Sequence, residues 1–422
     1  MDKTVIISGA VLDGNTVDIL VKDSRISSIS PHSGAFVAAC REKDRSMEVI
    51  DAEGMVALPP FYNTHTHSAM TLLRGYGDDM PLFEWLSTRI WPMEARFTDA
   101  DYCAGARLAM LEMIKSGTVY FNDMYWKMQL MPHLVEEMGM RATLCPAFID
   151  NMSERDFDEA VELVNSGYEN GNVRIGVAPH AIYTVGAKLM KKCVSLARNT
   201  DSKIHIHVSE TRKEVEDCLK AHGVTPLIYL DTLGVLGPDV ILAHGVYLTD
   251  EELGMAAERK VVISHCPCSN MKLGSGIFNA RKAVSRGCLV TLGTDGCSSN
   301  NNLDMREECK FASLLAKVSG DPEALPAEEI FRMATYNGAK AFGIDAGVIE
   351  EGRIADLILI RTDTPAMTPC YNTISNWIYS ADSSIVDTVM CNGRILMRNR
   401  KVEGEADILA EARERADFLN RK

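Results

Sequence analysis

Eight short apolar segments alternate with helical patterns between residues 55 and 295, and no other feature constrains the fold as much. They span 55–62, 117–123 (GTVYFND), 141–149 (RATLCPAFI), 173–179 (VRIGVAP), 203–208 (KIHIHV), 240–246 (VILAHGV), 261–266 (VVISHC) and 288–295 (CLVTLGTD). The stretches between them, such as TDADYCAGARLAMLEMIKSG and TDEELGMAAERK, open on acidic turns and keep helical spacing. Eight β-then-α units predict an α/β fold, a TIM-like parallel (β/α)8 barrel with its site at the C-terminal ends of the strands. Around those ends stand Asp123, His180, His207, His244, His265 and Asp295. A random scatter of His and Asp would rarely keep that register.

Both chain ends read differently. Residues 1–54 alternate apolar and polar positions through turn signals at Asp13-Gly14 and Asp23-Ser24. Residues 346–402 resume the pattern, and Asn392-Gly393 there suits a tight hairpin turn. The expected division is 1–54 as the first part of a small composite β-sandwich, 55–345 as the barrel, and 346–422 as the rest of the sandwich plus a terminal amphipathic helix. A chain of 422 residues, 46% of them hydrophobic, can bury such a core.

The 44 basic and 58 acidic residues leave a net charge of −14, which disfavours nucleic acid or an anionic membrane as partner. It does not disfavour a small neutral ligand. Twelve cysteines at irregular spacing suggest free thiols in a reducing compartment. The opening MDKTVIISGAVLDGN is too poor in apolar length for a signal peptide, and no run could span a bilayer. A soluble cytoplasmic protein is expected.

The stretch LPPFYNTHTHSAM, residues 58–70, places His65 and His67 two positions apart near a strand end. On extended backbone both imidazoles point to one side. They are either a hydrogen-bonded pair or two ligands of one metal ion, and the second reading needs further ligands. His180, His207, His244 and Asp295 are the candidates, since zinc accepts nitrogen and carboxylate oxygen and a catalytic site keeps one position for water. Spacing alone does not choose among them. His205 shares a face with His207 and is assigned to packing; His265 is assigned to the core or to a supporting layer. Cys266 and Cys268 lack a second matching pair and are set aside. Glu210 follows His207 by three residues, where a carboxylate can overhang the metal and move protons. The competing reading is a solvated glutamate at a helix start. The cytidine-type zinc deaminase signature is absent, as are a P-loop, H-E-x-x-H, G-x-S-x-G and a dinucleotide-binding glycine motif.

The segments NTHTHSAMTLLRGYGDDMPLFEWL, APH, HIHVSET, LAHGVYL, SHCPCSNMKLGSG and LGTDGCSSNNNLDM together resemble the amidohydrolase superfamily, and within it the methylthioadenosine/S-adenosylhomocysteine deaminases. The likeness runs over about residues 1 to 400. It implies one divalent ion per chain, zinc by preference, held by His65, His67, His207 and Asp295. It further implies that Glu210, His244 and Asp295 are catalytic. Glu94 (in WPMEARF) and His180 would contact the nucleoside sugar, and Glu210 and Asp295 would also touch the substrate. The implied reaction is hydrolytic deamination of an adenosine-type nucleoside such as 5′-deoxyadenosine, methylthioadenosine or adenosine, to inosine-type products and ammonia; S-adenosylhomocysteine as a further substrate and self-association are left open. The alternatives are a relative acting on guanine, a pterin or a triazine, and a non-catalytic barrel protein. Two departures from the family pattern stand out. Pro60 replaces the usual glycine before the His-x-His pair. Pro146 stands where members that accept S-adenosylhomocysteine carry an arginine, and Arg155 is the nearest substitute.

Overall fold

The computed structural model describes residues 4–168, 170–318 and 320–421. At its centre are eight parallel strands: Phe61–Thr66, Thr118–Tyr125, Arg141–Phe148, Val173–Ile175 continued by Ala178–Pro179, Ile204–Val208, Val240–His244, Val262–His265 and Leu289–Leu292. The first four pair in one sheet and the last four in another. Parallel bridges Val177–Ile204 and Ala181–His207 join one seam, and Thr66–Asp295 joins the other. At these seams His207 N donates to His180 O and Asp295 N to His65 O, each at 3.0 Å. Closure of the barrel therefore brings four of the expected site residues together. Every side chain of the first three strands is buried, so none shows the in–out alternation of a half-exposed strand, and apolar residues give way to buried polar ones toward the site.

The run expected over 55–62 is two strands in two sheets. Met55–Leu58 pairs antiparallel with Leu357–Arg361, Leu58 lying opposite Ile358, while the first barrel strand begins at Phe61. Pro59 and Pro60 separate them. Proline lacks an N–H, so two in succession interrupt a ladder and let the chain pass from one sheet to the next.

Strands from both chain ends form a sheet of eight, with Met55–Leu58 at its middle. Ile7, Ile19 and Val21 of one half meet Leu357, Leu359 and Met390 of the other in one apolar cluster. Its hairpin turns use left-handed pairs: Asp13-Gly14 at φ 50° and 79°, Asp23-Ser24 at 48° and 68°, Asn392-Gly393 at 52° and 74°. These are the conformations that match the twist of paired strands. The terminal helix Glu405–Arg421 lies against the helix Asp99–Lys115, with Arg415 Nε 2.7 Å from Asp101 Oδ1 and Lys115 Nζ 2.9 Å from Glu405 Oε1.

Asp356, fully buried, ties this sheet to the barrel. It accepts from Tyr62 Oη at 2.6 Å, Asn392 N at 2.6 Å and Arg141 Nη2 at 3.1 Å. Asp356→Ala leaves the buried Arg141 guanidinium unpaired, a loss on the order of 3–5 kcal/mol. Urea denaturation midpoints measure it; a change below about 1 kcal/mol would mean that Arg141 finds another partner. All twelve cysteines are free. Among the described residues, no helix is long and apolar enough to cross a membrane.

Candidate active site

His65 and His67, on the first barrel strand and just past its end, present rings 4.9 Å apart. His67 Nε2 lies 3.4 Å from His207 Nε2 and 3.1 Å from Asp295 Oδ1, and His65 Nε2 lies 3.3 Å from the same oxygen. The ligand atoms of His65, His67 and His207 are mutually within 4.8 Å, as are those of His65, His244 and Asp295. The spacing left the companions of the His-x-His pair open; the barrel brings His207, His244 and Asp295 to it. His244 and Asp295 hold left-handed backbone, φ 73° and 61°, as does Ser209 at 53°. Such conformations cost a non-glycine residue on the order of 1 kcal/mol or more, and here they turn strand ends into the site.

Neighbouring groups orient these rings. His67 Nδ1 is 2.6 Å from Met124 O and His207 Nδ1 is 2.8 Å from His180 O. A carbonyl only accepts, so both Nδ1 atoms carry hydrogen and both Nε2 atoms face the cluster. His244 Nδ1 lies 2.9 Å from Asn270 Oδ1. Ser269 Oγ and Ser299 Oγ donate to Asp295 Oδ2 at 2.6 and 2.9 Å. His205, assigned above to packing, corrects that reading: its Nε2 is 2.8 Å from His65 Nδ1 and its Nδ1 is 3.0 Å from Asn122 Nδ2. The signal was present in HIHVSE, a second His-x-His pair on one strand face. His265 instead packs its ring on Phe278, 5.2 Å away, and Asp123 turns to Ser68 N at 2.8 Å. Neither Cys266 nor Cys268 belongs to either ligand group.

The electrostatics suit a cation. Burial lowers His65 to about 4 and holds His207 well below the usual range, so both are neutral bases. Burial also opposes charge on His67, but Asp295 outweighs it and lifts the imidazole to about 9. Burial would raise Asp295; the adjacent imidazoles of His65 and His67 overcome it and hold the carboxylate well below its ordinary range. To serve as a metal ligand, His67 would give up the proton on Nε2. His65 Nε2 is buried without a hydrogen-bond partner, as expected of a ligating nitrogen. Three imidazoles with a carboxylate are a donor set that fits zinc or a similar divalent ion.

The cluster floors a cavity of about 70 Å³ whose wall includes Glu94, His180, Tyr183, Glu210 and Trp85. Glu210 Oε2 stands 3.8 Å from His244 Nε2, and Glu210 Oε1 accepts from Ser275 Oγ at 3.2 Å. Burial raises the Glu210 carboxyl above its ordinary value. Burial likewise raises Glu94, whose Oε1 accepts from Tyr125 Oη. His180 Nδ1 sits 2.9 Å from Thr184 Oγ1. Glu210 is thus a buried residue of the cavity wall.

Residues 56–396 match the model of the Amidohydrolase family. The chain belongs to that family. This amidohydrolase is 44% identical to a 5′-deoxyadenosine deaminase from Methanothermobacter thermautotrophicus, over 97% of this chain and 96% of that protein. It is also 44% identical to a 5-methylthioadenosine/S-adenosylhomocysteine deaminase from Pelotomaculum thermopropionicum, over 97% and 94%. Among solved structures, a zinc-bound adenosine deaminase from Xanthomonas campestris superposes with a TM-score of 0.92 at 32% identity, covering 100% of this chain and 99% of that one.

Proposed function

We propose that this amidohydrolase is a metal-dependent deaminase of adenosine-type nucleosides, converting 5′-deoxyadenosine, 5′-methylthioadenosine and adenosine to inosine-type products and ammonia. The observation that carries the reading is one cavity lined by the His/Asp cluster, by Glu210 beside His244, and by Glu94. The names of the two 44%-identical relatives agree with it. In this account the barrel from Phe61 to residue 345 carries the chemistry, 1–54 and 346–422 with Met55–Leu58 between them form the small β unit, and the enzyme works in the cytoplasm.

His65, His67, His207 and Asp295 would hold one divalent ion, zinc by preference. Bound there, the ion supplies hydroxide near neutral pH by lowering the pKa of water. Asp295 takes the proton of the attacking water at its carboxylate. His244, steadied by Asn270, orients that water. Glu210 gives a proton to the purine nitrogen beside the carbon that carries the amino group, which makes that carbon electrophilic. Asp295 then passes its proton to the amino group, the C–N bond breaks to release ammonia, and the hydroxyl proton of the adduct is lost as the carbonyl forms, restoring the proton that Glu210 gave. Glu94 accepts hydrogen bonds from two sugar hydroxyls and His180 contacts the same sugar, so a nucleoside is selected over a free base.

The tail of S-adenosylhomocysteine is read poorly in this account. Pro146 occupies the position expected for an arginine, and Arg155 is 84% exposed with its Nε 2.8 Å from Glu159 Oε1. Loss of one charge-assisted bond, on the order of 1.5–3 kcal/mol, places kcat/KM for S-adenosylhomocysteine about ten- to a hundredfold below that for 5′-methylthioadenosine. Assaying both substrates with one enzyme preparation tests this. Equal or faster turnover of S-adenosylhomocysteine would contradict it, and no ammonia from either would contradict the function itself.

A further inference from the structure

The cavity above the His/Asp cluster continues into a second chamber of about 330 Å³. Trp91, Glu94, Tyr125, Trp126 and Ala147 line both spaces, so Glu94 stands where they meet. Under the nucleoside reading, on which this inference rests, the ribose lies at Glu94 and its 5′ substituent enters the chamber. The chamber wall carries Pro146 and Met152, together with the charged side chains Lys127, Asp156 and Glu159.

Those charges are occupied with one another. Lys127 Nζ lies 2.7 Å from Asp156 Oδ1 and 3.1 Å from Glu159 Oε2. Ser153 Oγ donates to Asp156 Oδ2 at 2.6 Å, Arg155 Nε to Glu159 Oε1 at 2.8 Å, and Gln129 Nε2 to Glu159 Oε2 at 2.8 Å. All four carboxylate oxygens have a donor, and the chamber's ammonium has two anionic partners. An incoming carboxylate must compete with both of them, whereas a methyl or methylthio group asks nothing of the cluster.

We propose that Lys127, Asp156 and Glu159 are the specificity-determining residues for the 5′ substituent: the two carboxylates hold Lys127 away from the carboxylate of a zwitterionic amino-acid tail, so the chamber favours uncharged 5′ groups. Lys127 is thus a latent tail-binding cation.

The test is the ratio of kcat/KM for S-adenosylhomocysteine to that for 5′-methylthioadenosine, measured on the metal-loaded full-length enzyme. Asp156→Asn with Glu159→Gln frees the ammonium and should raise the ratio about tenfold or more. Adding Lys127→Ala to that pair should abolish the rise. Glu159→Gln alone, on a helix face where its side chain is 27% exposed, should give a smaller rise of the same sign and serves if the double variant fails to fold. An unchanged or lower ratio in the carboxylate variants overturns the proposal. So does a tenfold fall in the ratio for Lys127→Ala alone, since Lys127 would then already bind the tail. If the wild-type enzyme releases ammonia from neither nucleoside, it is the deaminase reading that fails.

Discussion

Glu210→Gln is expected to keep metal and nucleoside binding while losing turnover by about 10²- to 10⁴-fold, the usual contribution of a general acid–base group. The carboxyl is buried between Ser275 and His244, and burial favours its proton-bearing form. Glutamine fills nearly the same volume and can still hydrogen-bond a ring nitrogen, but it has no proton to give. Loss should therefore appear in kcat with KM little changed. The backbone of this turn is held independently of the Glu210 side chain, because Glu214 accepts from Ser209 N and Glu210 N at 2.8 Å each. A variant within a few-fold of wild type would reduce Glu210 to a wall residue.

His67→Ala and Asp295→Ala are each expected to bring metal content from about one ion per chain to a small fraction of that. The two side chains approach to 3.1 Å and both face the same cluster. Removing the imidazole takes away a nitrogen donor; removing the carboxylate takes away the anionic charge, leaves Ser269 without its acceptor and leaves Ser299 with Gly296 O. His265→Ala is the matched control, a buried histidine packed on Phe278 outside the ligand groups, and it should keep its metal. Elemental analysis of dialysed protein reads all three. Normal metal in both ligand variants would contradict the assignment.

Much of the barrel was legible because parallel strands covered on both faces are written as apolar runs, and their ends as the polar residues that break them. The pairing of His65 with His67 follows from the two-residue repeat of a strand. Other parts depended on contacts that no local pattern carries. The boundary at Pro59-Pro60 was hidden because Phe61 and Tyr62 continue the apolar run of Met55–Leu58, though the two strands lie in different sheets. His205 could pack or hydrogen-bond from the same strand face, and only the position of His65 decides. Ser269, Asn270 and Ser299 lie beyond the seventh and eighth strands, where the chain must fold back before they reach Asp295 and His244. The hold on Lys127 likewise comes from Asp156 and Glu159, about thirty residues further along the chain.

The measurement closest to the central claim is ammonia release by the metal-loaded enzyme from 5′-methylthioadenosine and adenosine, set beside guanine and a chlorinated triazine. The fold does not separate these chemistries, since a triazine hydrolase and a guanine deaminase share it at 22–23% identity. Glu94 and Glu210 on one cavity call for one ammonia per inosine-type product from both nucleosides, with guanine and the triazine untouched. Turnover of guanine or the triazine with both nucleosides inert would contradict the account.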